Sequence, residues 1–419
     1  MCNSPRLTTP LVLAAALLAA APARATVVDA TVTTLLAGRQ DPRDGRVYSV
    51  VPAYEMLQLR LDDVHTRYVD VRVVLSAWGE VAFGEPRDGR ATGDVDIGYI
   101  ETAVFSRRAT FRAGRQLIFA GGARVFQLDG GSARLRLFER LFVDVFGGAP
   151  VTPRFAVKLG DAVVGGRLSW RESINTEGGL SYLHVLDGGR VAREDLGADL
   201  RYTPVRALAL SGYLLYAVSE RRIGEIDVGA TWQPHATVDV RVDYRRTAPD
   251  LFLPRSSILS VFASETRDET GATLFARPVA RLSLSADYHV VFEEAGVGHR
   301  AGGRAALRLS RGFQTLAGVE ARALRLPDNG YTQVRLFATH RLSPSLLVAL
   351  DLDAYALERA INGITLSLTG SATVAWDFAR GWRAVVTGLA DTTPLIERRF
   401  EVIARLVYNH QWRFRRVTP

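Results

Sequence analysis

Charged and apolar residues alternate along this chain at a spacing of two, the repeat that sends successive side chains of a β-strand to opposite faces. Asp239, Arg241, Asp243 and Arg245 share one line, and Val238, Val240, Val242 and Tyr244 share the other. Asp351 and Asp353 likewise oppose Leu346, Val348, Leu350, Leu352 and Ala354. The same reading puts Gln58 with Arg60, Asp70 with Arg72, Arg112 with Gln116 and Arg134 with Arg136, and adds Arg167 and Arg335. Fixed charges of both signs facing each other across water can sort ions and orient dipolar solutes. The same set can equally form an ion-pair network that only stiffens a wall.

Other chemistry has little support. The histidines (65, 184, 235, 289, 299, 340 and 410) show no metal-ligand spacing, and no cofactor or metal is expected. Ser181 and His184 lie on one expected strand, but no Gly-x-Ser-x-Gly turn accompanies them, which leaves only a faint lead to a barrel phospholipase. An enzyme is therefore not expected. Gly-Gly pairs at 121–122, 130–131, 165–166 and 302–303 lack the Lys-Ser/Thr of a phosphate loop. They read as bulges or close strand approaches.

The elements that must carry these charges are strands. Alternation over about nine to twelve residues recurs to the C-terminus, and no run of 18 apolar residues occurs after the leader. Short links such as 107–108, 203–204, 233–234, 277–278, 311–312, 343–344 and 379–381 alternate with longer polar ones. The longer set is 84–93, 187–194, 248–267, 293–300, 327–330, 358–363 and 391–399. Tight turns at one end and long loops at the other distinguish an outer-membrane barrel from a Greek-key sandwich. The expectation is all-β: one transmembrane antiparallel β-barrel over 26–419 of about 22 strands, or 20 or 18 if hairpins merge, with no plug domain. Trp78, Tyr99, Tyr202, Trp232, Tyr244, Trp376, Trp382, Tyr408 and Trp412 fall near strand ends, where interfacial girdles lie.

Export is written at the N-terminus. Arg6 precedes the apolar run Leu11–Ala21, and Ala23-Arg24-Ala25 has the small-x-small form of a cleavage site. Eleven residues rise about 16 Å as a helix, half of a ~30 Å bilayer core. Residues 1–25 thus form a signal peptide, and removing Arg6 and Arg24 takes the net charge from +8 to +6. The basic residues are dispersed arginines with a single lysine, Lys158, so nucleic acid is not a partner. The expected surroundings are outer-membrane lipid and lipopolysaccharide of a Gram-negative envelope, the barrel assembly machinery, and small polar or anionic solutes. Oligomeric state is not written in the sequence.

Residues 111–137, FRAGRQLIFAGGARVFQLDGGSARLRL, carry a local signature: Gly114-Arg115-Gln116, then Asp129-Gly130 and Arg134. This resembles the alginate-export type of outer-membrane porin. The resemblance implies a barrel that passes a solute through the outer membrane, without fixing the solute as alginate. Two functional classes follow: a porin-like channel for passive diffusion or export of polar, anionic solutes, or a structural barrel in a polysaccharide or other surface-polymer exporter. Bulky inward residues would favour the second.

One apolar stretch sits in the longest outer connection, where polar residues belong: Phe252, Leu253, Arg255, Ile258 and Val261. It either folds inward as a constriction with Arg255 at the narrowest point, or extends as a paired strand above the membrane. The leader gives the first test. N-terminal sequencing of the exported protein should return Thr26, whereas a protein still beginning at Met1 would remove the export reading.

Overall fold

In a computed structural model, the described residues are 27–43, 46–65, 69–84, 91–151, 161–249, 266–309, 314–327, 329–392 and 398–413. Two sequence expectations, the signal peptide and the segment holding Phe252, Leu253, Arg255, Ile258 and Val261, lie outside them.

The alternating stretches form 22 strands. The first six are β1 (Val27–Arg43), β2 (Arg46–His65), β3 (Val69–Gly84), β4 (Ala91–Val104), β5 (Ala109–Ala120) and β6 (Ala123–Arg136). Next come β7 (Leu141–Pro150), β8 (Ala162–Ser173), β9 (Thr176–Asp187), β10 (Arg190–Val205), β11 (Leu208–Ala217) and β12 (Arg222–His235). Then follow β13 (Val238–Thr247), β14 (Arg267–Val279), β15 (Leu282–Glu293), β16 (Gly296–Arg308) and β17 (Thr315–Arg325). The last are β18 (Gly330–Ser343), β19 (Leu346–Ile361), β20 (Ile364–Ala379), β21 (Trp382–Thr392) and β22 (Arg399–Arg413).

Each strand pairs antiparallel with its sequence neighbour, and β1 pairs with β22 from Val27↔Arg413 to Arg39↔Glu401, closing the sheet into a barrel. Closure leaves no free edge around the ring, the condition for a sheet to sit in hydrocarbon, where an unpaired N–H or C=O finds no water. The register also puts both ends of the described chain at one end of the barrel.

Several links expected to be long are tight turns. Strands β9 and β10 run on to a turn at Gly188 and Gly189, both with positive φ, and β19 and β20 to one at Asn362 and Gly363. Polarity marks where hydrocarbon ends, not where strands end. An antiparallel hairpin continues into water while its backbone pairing holds, so Arg190–Glu194 and Glu358–Ile361 are strand and not loop.

The outer face is apolar: Leu350, Leu352, Leu366, Leu368, Val374, Val386 and Val402 are exposed on it. At the end that holds the termini, rings run in a chain across β20, β21 and β22. Trp376 lies 5.4 Å from Phe378, Trp382 4.5 Å from Tyr408, and His410 4.2 Å from Trp412. Trp170, Tyr202 and Trp232 are exposed near the same ends of their strands. Farther along the wall, tyrosine hydroxyls meet polar partners: Tyr182 donates to Glu194 at 2.6 Å and Tyr244 to Asp268 at 2.6 Å. An apolar ring body with a satisfied polar tip suits the bilayer interface. Tyr99 departs from the expected girdle; it lies on the inner face, with the Arg112 guanidinium 5.2 Å from its ring centre.

Leu352 sits mid-strand on the lipid face, 55% exposed. Leu352→Arg should destabilise the barrel by about 2–4 kcal/mol, read by urea unfolding in phospholipid vesicles. A loss under ~1 kcal/mol, the range expected near an interface, would mean this face does not meet hydrocarbon.

Candidate functional site

Opposite the apolar face, the register brings charges of both signs onto the inner wall. Arg335 sits between Glu320 on β17 and Asp353 on β19 and forms an ion pair with Asp351. Its guanidinium also lies 5.4 Å from the centre of the Phe337 ring. Arg245 reaches Asp227 at 2.8 Å, and Arg241 lies 3.5 Å from Asp243. Asp239 accepts from the Gln233 amide at 2.8 Å. Arg134 holds Asp144 at 2.6 Å, while Arg136 donates to the Glu139 carbonyl oxygen at 3.0 Å. Arg72 bridges Asp62 at 2.6 Å and Glu101 at 3.4 Å, Arg112 meets Glu101 at 2.5 Å, and Arg60 pairs with Asp62. Gln58 lies opposite Ser76 on this face, and Asp70 pairs with Arg107 at 3.3 Å.

Most of these arginines keep a third or more of their side chain open, so each pair contributes only about 0–1 kcal/mol to stability. The inward arginines therefore do not form a bare basic wall. Their partners Asp62, Glu101, Asp144, Asp227 and Glu320 were missed in the sequence. Each sits in an alternating stretch like its partner's, but only the register of the neighbouring strand says which carboxylate faces which guanidinium.

Ser181 and His184 lie on opposite faces of β9. Ser181 is buried on the inner side opposite Arg167, whereas His184 stacks on Tyr182, whose hydroxyl is bound to Glu194. They cannot act as a nucleophile and its base.

The wall departs from a simple cylinder at β5 and β6. β5 pairs with β4 only as far as Arg115↔Gly98, and β6 pairs with β7 only from Leu128↔Pro150 onward. Between those points the two strands pair with each other alone, through Gln116↔Leu128 and Ile118↔Phe126 to Ala120↔Ala123. This hairpin leaves the wall and folds inward. Ile118, Ala120 and Leu128 pack with Phe146, Val163 and Leu183 from the inner faces of β7, β8 and β9, with Phe126 and Val185 against them. Its tip reaches β10 and β11: a Cβ on Gly122 would lie 2.7 Å from the Ala198 nitrogen and 2.8 Å from the Leu214 carbonyl oxygen.

The local signature of residues 111–137 builds this fold. Gly114, at φ +124°, makes the bend where β5 departs, a conformation that side chains rarely adopt. Departure takes a pairing partner from the upper part of β4. Arg115 supplies one: its guanidinium grips Asp129 through two bonds of 2.8 and 2.9 Å and donates to Asp94 at 2.7 Å and the Val95 carbonyl oxygen at 2.8 Å. The Gln127 amide donates to the Asp96 carbonyl oxygen. Gln116, fully buried, donates to the Gly130 carbonyl oxygen at 3.2 Å and accepts from Ser132 at 2.7 Å. So Gln116 locks the hairpin's base and does not line the bore.

The tip rests on a buried charge of the inner wall. Arg167, 9% exposed, donates to Asp199 at 3.0 Å and to Glu177 at 2.7 Å, and a Cβ on Gly121 would lie 2.6 Å from its Nε. Removing one partner of such a buried pair leaves a charge uncompensated and costs about 3–5 kcal/mol.

The fold is similar to that of solved structures. The P pilus usher (PapC) translocation pore matches at a TM-score of 0.50 and 10% identity, over 91% of this chain and 99% of that chain. The E. coli P pilus tip assembly intermediate PapC-PapD-PapK-PapG, in its second conformation, matches at 0.51 and 10%, over 92% and 61%. Pseudomonas aeruginosa OccK2 (OpdF) matches at 0.45 and 9%, over 92% and 98%. No family model matches the chain, and no curated protein does. At these identities the likeness is one of fold, and the resemblance of residues 111–137 to alginate-export porins stays local.

Gly122→Leu tests the hairpin's seat. Amide exchange across Leu117–Phe126 should rise at least tenfold while β12 to β19 stay protected. Unchanged exchange would mean that the tip does not rest on β10 and β11.

Proposed function

We propose that this chain is an outer-membrane channel for passive passage of small polar solutes, with a preference for anions. The observation that carries the reading is the wall itself: apolar outside, and inside a line of half-open guanidiniums able to exchange an internal carboxylate for a passing anion. A barrel serving a surface-polymer exporter only as an anchor has no need of charges kept accessible to the bore. The hairpin folded over β7 to β10 narrows the path and suits small solutes better than a folded polymer. The residues of the alginate-export-like signature spend their contacts on backbone and on each other, so they do not specify a solute.

In the same reading residues 1–25 are a cleaved leader, the assembly machinery inserts the barrel, and the aromatic end faces the periplasm. The net charge of +6 after cleavage agrees in sign with anion preference.

Planar-bilayer recording of the refolded chain tests this. Steps of ion conductance are expected, with reversal potentials in a salt gradient on the anion side. Changing Arg134, Arg136 and Arg241 together to Ser removes guanidiniums while leaving Asp144 and Asp243, so the reversal potential should move toward cations. A silent bilayer with correctly folded protein would end the channel reading; an unmoved reversal potential would make these arginines wall struts.

A further inference from the structure

Folding the β5–β6 hairpin inward leaves a niche of about 340 Å³ beneath it, on the inner face of the wall. Its upper side is apolar, formed by Leu117, Ile118 and Phe119 of β5 with Phe146 of β7. Its lower side is charged, formed by Arg112 and Arg134 with their partners Glu101 and Asp144. The volume lies at the small end of the range for small-molecule pockets, which run from about 300 to 1,000 Å³.

Three features define what would fit. Phe119 is 72% exposed, an unfavourable state for a phenyl ring in a water-filled bore unless something covers it. Arg112 is engaged through Nε, and its two terminal nitrogens make no hydrogen bond among the described residues; Arg134 uses Nε and Nη2 on Asp144 and keeps Nη1 free in the same sense. The charges are also unequal. The linked series Arg60, Asp62, Arg72, Glu101, Arg112 has an arginine at each end and one positive charge in excess, while Arg134 and Asp144 balance. A bound carboxylate would complete the series, accepting from both terminal nitrogens of Arg112 in the bidentate geometry that guanidinium favours and from Nη1 of Arg134.

We propose that this niche is a solute-binding site for a small carboxylate with a compact apolar body, the carboxylate on Arg112 and Arg134 and the body under Leu117 and Phe119. It deepens the channel reading by naming a solute class. It does not depend on conduction, because the niche is built whether or not the bore is open.

Equilibrium binding to the full chain, folded in detergent and checked by heat-modifiable migration, is therefore the test. The probe is cyclohexanecarboxylate, with cyclohexanol and acetate as compounds lacking the charge or the body. The acid should bind at least tenfold more tightly than either. Phe119→Ser, at an exposed position the fold does not need, and Arg112→Gln should each weaken it tenfold or more. Equal binding of cyclohexanol would reduce the site to a greasy surface, and equal binding of acetate to a plain anion site; either result overturns the proposal. So does binding of the acid that Phe119→Ser leaves intact, or no binding at all. Should Arg112→Gln fail to fold, Phe119→Ser decides alone. A barrel that binds the acid yet conducts nothing keeps this inference and loses the channel.

Discussion

Every backbone N–H and C=O in a lipid-embedded wall needs a partner within the protein, and this requirement organises the molecule. It accounts for the closure of β1 onto β22, for the unbroken neighbour-to-neighbour order of all 22 strands, and for the tight turns at both ends. It also explains why the departure of β5 and β6 from the cylinder is so heavily reinforced. When β5 and β6 peel from β4 and β7, the ladder loses bonds, and Arg115 and Gln127 return donors to the carbonyl oxygens of Val95 and Asp96. A hairpin could not leave a membrane wall without such replacements.

The peeled hairpin has to bury something to stay inside a watery bore. It does so by forming a second layer: Ile118, Ala120 and Leu128 close over Phe146, Val163 and Leu183, a small sheet-on-sheet core within the barrel. At roughly 25 cal/mol per Å² of apolar surface removed from water, a patch of six side chains is a substantial anchor. The glycine tip then lets the backbone come down on β10 and β11 beside the buried Arg167 cluster. The hairpin thus also lines the niche beside Arg112 and Arg134.

The lumen charges follow a different logic. Guanidiniums and carboxylates alternate around the wall in pairs that are mostly half-open, so each pair contributes little to stability. Positive charge is locally in excess in the arginine-terminated series ending at Arg112. The Arg167 cluster is the contrast: its guanidinium is buried and paired with both Asp199 and Glu177.

The sequence by itself determined an all-β barrel of about 22 strands and its inner and outer faces, because each depends on a period of two and on local polarity. Asp239 to Arg245 and Asp351 with Asp353 are legible as one face for that reason alone. Strand ends were less legible at 187–194 and 358–363, since pairing outlasts the apolar pattern. The partners of the lumen arginines were not legible, because Glu101, Asp144 and Asp227 find their guanidiniums only through register between strands. The inward hairpin was decided by tertiary structure alone. Gly114, Arg115 and Gln116 look like wall residues in any strand reading. What makes them a hinge, a cap and a lock is where β4, β7 and β10 stand, a set of distances that no local pattern encodes.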